Sequence, residues 1–261
     1  MAKEKKGKLI TVTSMKGGVG KTATILLLAS VYKKMEKKVL LLDLDLCTGS
    51  IAFSLNANVK SSVFNVCDDM ANNRYKGINA GDYICHYDEF IDILSAPKDP
   101  RQANKVDTKC LEILMNSLTN YYDVVLVDTN HILDVYKMIA FEYSDSIVNI
   151  FTNDCLDLKG TKNFVSICKN VGVNNFLLVL NNAQDERKRY FSDYDIKGVI
   201  KHSIDYILPA SLRIKNFDMY IMEGTLLDYF LRLKKTNKEI EKLALRLLEI
   251  SKKGANNDEE K

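Results

Sequence analysis

Apolar positions along the chain follow two alternating patterns. Short runs rich in Val, Ile and Leu, each closed by turn-forming or acidic residues, predict strands over 8–14 (KLITVTS), 38–46 (KVLLLDLDL), 122–129 (YDVVLVDT), 145–152 (DSIVNIFT), 175–182 (NFLLVLNN) and 203–209 (SIDYILP). The stretch TATILLLASVYKKM and the segments 102–119, 132–143, 157–171 and 225–251 read as helices between them. The nearly continuous apolar run at 38–46 is the kind found in a parallel sheet covered on both faces. Strand, helix, strand in this order implies right-handed crossovers and an α/β fold: a doubly wound, mainly parallel sheet flanked by helices on both faces.

Composition agrees with a single domain. At 261 residues, 46% of them hydrophobic, the chain can bury one sizeable core. With no repeat, no low-complexity linker and only three prolines, the boundaries fall at 8–252. A basic, flexible start (1–7) and a polar, disordered tail (253–261) flank that domain. Lys plus Arg number 37 against 34 Asp plus Glu, so net charge does not announce a nucleic-acid binder. Six scattered cysteines without a C-x-x-C pair, and the lack of an apolar leader, lead us to expect reduced thiols and a cytoplasmic location. No run approaches the roughly eighteen apolar residues that cross a membrane.

The chemistry concentrates in TVTSMKGGVGKTATI, residues 11–25. A strand running into a glycine-rich turn and then a helix aims backbone N–H groups and the positive end of the helix dipole at one spot, which suits phosphate. Gly17, Gly18 and Gly20 allow close backbone approach, Lys21 would reach the terminal phosphates and Thr22 would ligate a bridging magnesium. An ordinary strand-to-helix turn needs neither the lysine nor the threonine. In an open parallel sheet, ligands lie beyond the carboxyl ends of the strands, where Asp43, Asp45 and Asp128 fall. Each aspartate alone reads equally well as a cap or turn former; together with the loop, Asp128 can hold the waters of a magnesium ion.

One feature departs from the ordinary phosphate loop: Met15 stands where glycine usually begins it, followed by Lys16. KGGVGKT resembles the deviant Walker A motif of the ParA/MinD superfamily, P-loop NTPases of the SIMIBI type, and the resemblance covers about residues 8–250. It implies Mg2+ and ATP as cofactors, slow hydrolysis and an ATP-dependent homodimer in which Lys16 reaches the phosphates of the other subunit. It assigns the nucleotide to Lys16, Gly17, Gly18, Val19, Gly20, Lys21, Thr22 and Ala23, and the metal to Thr22, Asp43 and Asp128. Lys16, Lys21 and Asp45 become the catalytic set, with Asp45 orienting the attacking water. Asn181 and Pro209, in LLVLNN and ILPASLRI, resemble residues beside the adenine ring.

Within the superfamily, DLDLCTGSIAFSLN, DILSAPKDPRQANKV and TNDCLDLKGTKNF look most like the CpaE/TadZ branch, which positions pilus and secretion machinery. The chain contains no receiver-like region ahead of the loop. Ala23 replaces a residue that often touches the α-phosphate, and the second switch reads DTNH. The resemblance implies an ATP-driven spatial switch with a protein partner. Two alternatives remain: a DNA-partition ATPase binding DNA non-specifically, and a nucleotide-binding scaffold with negligible hydrolysis. The cysteine positions do not suit a subunit-bridging cluster.

Near the carboxyl end, Ile240, Leu243, Leu247 and Ile250 fall at helical spacing. This stripe either packs on the domain or, with Lys242, Lys252 and Lys253, lies peripherally on the inner face of the cell membrane. Arg232, Lys234, Lys235 and Lys238 form either a solvated face or a DNA-phosphate patch. His86 and His131 are assigned to no metal.

Overall fold

The computed structural model describes residues 6–78, 83–182, 191–233 and 237–250. Its centre is one eight-stranded sheet in the order β3-β4-β2-β5-β1-β6-β7-β8. The strands are β1 (Lys8–Thr13), β2 (Val39–Leu44), β3 (Cys85–His86), β4 (Ile91–Leu94), β5 (Val124–Thr129), β6 (Ser146–Phe151), β7 (Phe176–Asn181) and β8 (Tyr206–Leu208). All pairings are parallel except the edge pair β3–β4. Every residue of β2, β5 and β6 is buried, as their unbroken apolar runs require of strands covered on both faces.

Helices cover both faces. On one lie α1 (Lys21–Lys34), α9 (Leu226–Arg232) and α10 (Asn237–Glu249), which enclose Ile10, Val12, Leu41 and Leu126 with Phe230, Leu243 and Leu247. The other face carries α3 (Val63–Ala71), α4 (Thr108–Leu118), α5 (Val135–Tyr143), α6 (Cys155–Asn170) and α7 (Asp193–Ile200). Two short helices, α2 (Ile51–Ser54) and α8 (Phe217–Met222), complete the set among the described residues. Nine consecutive residues of α1, Thr24–Tyr32, are buried, because α1 is wedged between the sheet and α9 and α10.

The doubly wound fold matches the expectation, and six elements add to it. Four-residue β4 alternates with a polar Asp92, and two-residue β3 is set by its partner rather than by its own pattern. Helices α2, α3, α7 and α8 are short, their apolar faces legible only once the sheet is in place. The segment 102–119 divides: a 3-10 turn over Pro100–Lys105 precedes α4, whose start is fixed by Asp107 accepting the Cys110 N–H at 2.9 Å. The expected long helix at 225–251 is two helices, α9 and α10, with 234–236 outside the described residues.

The apolar stripe of α10 lies inside. Ile240, Leu243 and Leu247 are fully buried, and Tyr32 donates to the Ala244 carbonyl at 3.0 Å. Of the two readings of this stripe, packing on the domain is the one the structure shows, with the apolar face buried. Lys242 pairs with Glu239 at 2.8 Å, while Lys234, Lys235, Lys252 and Lys253 lie outside the described residues. No helix among the described residues is long and apolar enough to cross a membrane. Residues 1–5 and 251–261 of the two expected flanks are outside the described residues; Gly7 is hydrogen-bonded to the Thr119 carbonyl at 2.8 Å.

Candidate functional site

The loop between β1 and α1 turns on two left-handed glycines, Gly18 (φ 73°) and Gly20 (φ 99°). Gly20 has a second constraint: a Cβ there would stand 2.7 Å from Asn181 Nδ2, whose amide donates to the Val19 carbonyl at 2.8 Å. The end of β7 thereby braces the loop, and Asn181 reaches it by its side chain. Gly17 and Gly18 are exposed, so the backbone they present is open to a ligand. Met15 needs no glycine at its position, because it packs on α6 where Gly160 leaves space; a Cβ on Gly160 would meet Met15 Cβ at 2.8 Å.

Thr22, in the first turn of α1, donates to Asp128 Oδ2 at 2.6 Å and lies 3.1 Å from the Ser50 hydroxyl. Asp128 and Asp43 are register partners on β5 and β2, so two buried carboxylates stand side by side at the strand ends. Asp43 accepts the Ile51 and Asp45 N–H groups, both at 3.1 Å. Burial first, then the neighbouring Asp128, pushes the Asp43 carboxyl well above the usual range. Burial also raises Asp128, to about 6, although the Thr22 hydrogen bond and Lys21 pull it back. Asp128 Oδ1 is buried with no hydrogen-bond partner. An orphaned carboxylate oxygen beside a threonine hydroxyl and a second carboxylate is an oxygen donor set that fits a hard divalent cation such as magnesium.

Asp45 sits apart, half-buried, with Oδ1 accepting both the N–H and the hydroxyl of Thr48, at 3.2 and 2.9 Å. Lys16 pairs with Asp154 of its own chain, Nζ to Oδ1 3.1 Å. Asp154 caps α6 by accepting the Leu156 and Asp157 N–H groups, and the Lys16 ammonium holds its carboxyl below the usual range. Lys21, Val19 and Ala23 are in the loop and first turn as expected; Pro209 follows β8, beside an open cleft lined by Ala210, Ser211, Arg213, Ile214, Lys215 and Asn216. Large apolar side chains are exposed close in sequence to His131 and Asp154, which approach the loop: Ile132, Leu133 and Val135 after β5, and Leu156 at the start of α6.

Sequence reasoning passed over several neighbours of the loop. Ser50 and Asp154 carry cap signals only. His131, left without a role, comes near Gly17: its Nδ1 lies 3.8 Å from where a Cβ would stand. Lys137 on α5 is 1% exposed and donates to the Ser14 carbonyl at 3.2 Å. Its signal was its spacing, since Lys137 shares a helix face with Ala140 and Phe141, both buried.

Against known proteins, the family described as AAA domain matches residues 7–184. A putative septum site-determining protein MinD of Emiliania huxleyi is 22% identical over 223 residues, covering 79% of this chain and 76% of that protein. The fold is shared with a ParA family ATPase from Chlorobium tepidum, TM-score 0.79 at 17% identity, over 92% of this chain and 98% of that one. It is shared also with the septum site-determining protein MinD of Pyrococcus horikoshii, solved with Mg-ADP, TM-score 0.74 at 22% identity, over 92% and 96% of the two chains.

Proposed function

We propose that this chain, which belongs to the AAA domain family, is an ATP-dependent dimerising switch that hydrolyses ATP slowly and positions pilus or secretion machinery through a protein partner. One observation carries the nucleotide reading: Thr22, directly after Lys21 of the glycine loop, is hydrogen-bonded to a buried Asp128 that has one orphaned oxygen. A structural turn gains nothing from that arrangement, since an unpaired buried carboxylate oxygen costs about 1–3 kcal/mol or more.

In this reading Lys16, Gly17, Gly18, Val19, Gly20, Lys21, Thr22 and Ala23 line the polyphosphate. Thr22, Asp43 and Asp128 hold Mg2+, which when bound neutralises charge building on the phosphate oxygens. Asp45 would leave Thr48 to orient the water. Lys16 would leave Asp154 to reach the phosphates of a second copy, a cation delivered only when two subunits close. The exposed Ile132, Leu133, Val135 and Leu156 suit an apolar contact between copies. Asn181 and Pro209 would flank the base, with the cleft after Pro209 giving it room.

The pilus role rests on the resemblance of three segments alone. DNA partition is the second reading, favoured by the likeness to a ParA family ATPase and by the exposed Arg232 and Lys238.

Calorimetric titration of the protein with ATP and magnesium, with phosphate release followed on the same sample, tests the proposal. Binding that Lys21→Ala abolishes, with turnover of a few per hour or less, is expected. Unchanged affinity in Lys21→Ala would remove the phosphate-loop assignment, and ATP binding with no release would favour the scaffold alternative.

A further inference from the structure

Lys137 is the outlier among the buried side chains. It is a lysine, 1% exposed, on the face of α5 that packs against the sheet. Its ammonium makes one hydrogen bond among the described residues, to the Ser14 carbonyl at 3.2 Å, and none of their carboxylates forms an ion pair with it. An ammonium has three donors, and burying one without an anion costs several kcal/mol. Evolution of a stable core alone would place Met or Leu here. The Ser14 carbonyl is the last backbone acceptor before Met15 and Lys16, at the corner where β1 becomes the loop.

The charged groups acting on Lys137 come from three directions: Lys21 at the start of α1, Asp45 beyond β2, and Asp134 at the cap of its own helix. Burial and the like charge of Lys21 push its ammonium down to about 8, and the two aspartates only partly offset them. Asp134 and Asp45 offset the charge of Lys137 only in part, and Asp128 acts on Lys21. A polyphosphate seated in the loop would complete the balance.

We propose that Lys137 is a positioning residue of the phosphate site: it clamps the strand-to-loop corner at Ser14 from beneath, and its buried charge is balanced by the polyphosphate of a bound nucleotide. The inference rests on the nucleotide reading given above. It makes α5 an element that responds to nucleotide, because the same helix begins beside the exposed Ile132, Leu133 and Val135. Phosphate occupancy would therefore stiffen the segment that carries them.

The test uses the full chain and two variants. Lys137→Met removes charge and hydrogen bond while keeping an unbranched apolar side chain; Lys137→Gln keeps a donor for Ser14 and removes the charge. Each is checked for folding by its thermal transition and titrated with Mg-ATP calorimetrically at pH 8.5, in two buffers of unequal ionisation enthalpy. Wild type should take up roughly three quarters of a proton on binding, because the polyanion restores the ammonium that burial had weakened. Both variants should fold, take up close to none, and bind roughly tenfold or more weakly, as loss of one buried charge near a polyphosphate implies. Wild-type affinity and wild-type proton uptake in both folded variants would overturn the role of Lys137 and leave the nucleotide reading standing. Failure of wild type itself to bind ATP would instead remove the reading on which the inference rests.

Discussion

Thr22 Oγ1 donates to Asp128 Oδ2 at 2.6 Å, joining the first turn of α1 to the end of a strand more than a hundred residues further along the chain. The bond holds the glycine loop against β5 and leaves the second oxygen of Asp128 buried and unpartnered. A carboxylate in that condition opposes folding, and in the proposed function it is tolerated for the cation it holds.

Asp128→Asn should therefore stabilise the chain and disable the site. Burial raises the Asp128 carboxyl from the usual range to about 6, so the folded protein binds more protons than the unfolded chain between about pH 4 and 6. Stability from this group rises as pH falls through that window and is lowest at pH 7. The variant should gain on the order of 2 kcal/mol at pH 7, shrinking towards zero near pH 4, in denaturant titrations at both pH values. A loss of stability at pH 7 would contradict the burial argument.

Gly20 and Gly18 should answer differently to alanine. Both need a left-handed backbone, costing about 1 kcal/mol for a residue with a Cβ. At Gly18 nothing lies within 4 Å of the added Cβ, whereas at Gly20 it meets Asn181 Nδ2 at 2.7 Å. Gly20→Ala should break the Asn181 brace and lower ATP affinity at least tenfold more than Gly18→Ala does, measured by titration of the folded variants.

The Lys16–Asp154 pair joins two half-exposed side chains and contributes roughly 0–1 kcal/mol. Lys16→Ala should leave the melting temperature almost unchanged. Asp154→Ala should cost about 1 kcal/mol, because the carboxylate also caps α6 through the Leu156 and Asp157 N–H groups. Equal losses in the two variants would mean that the ion pair, rather than the cap, dominates.

Leu243→Ala and Leu247→Ala should each cost about 2–5 kcal/mol, as fully buried residues truncated in a packed core do. A liposome-binding assay on the wild-type chain should show no retention attributable to α10. Variants as stable as wild type would mean that the helix does not stay on α1.

The sheet was legible in the sequence because β1, β2, β5, β6 and β7 are nearly continuous apolar runs, a pattern imposed by burial on both faces. The loop was legible because an ordinary strand-to-helix turn requires neither a lysine nor a threonine after paired glycines. Short β3 and β4 were not, since their conformation comes from the neighbour each pairs with. Lys137 escaped notice because a lysine in a helix is ordinarily solvated, and only its shared face with Ala140 and Phe141 marks it as buried. The partner of Lys16 could not be read either: Asp154 looks like any helix cap, and pairing across some 140 residues is a property of the fold. The end of α9 at Arg232, where Leu233 is extended, shows the limit of periodicity, which reads 225–251 as one helix.

The central claim, that nucleotide governs association of the chain with itself, is tested most directly by its molar mass in solution, measured by light scattering with Mg-ADP and then with Mg-ATP. The account predicts a monomer with ADP and a doubling of mass with ATP, lost in Lys16→Ala although that variant still binds nucleotide. The same mass in both nucleotide states, with ATP demonstrably bound, would contradict it.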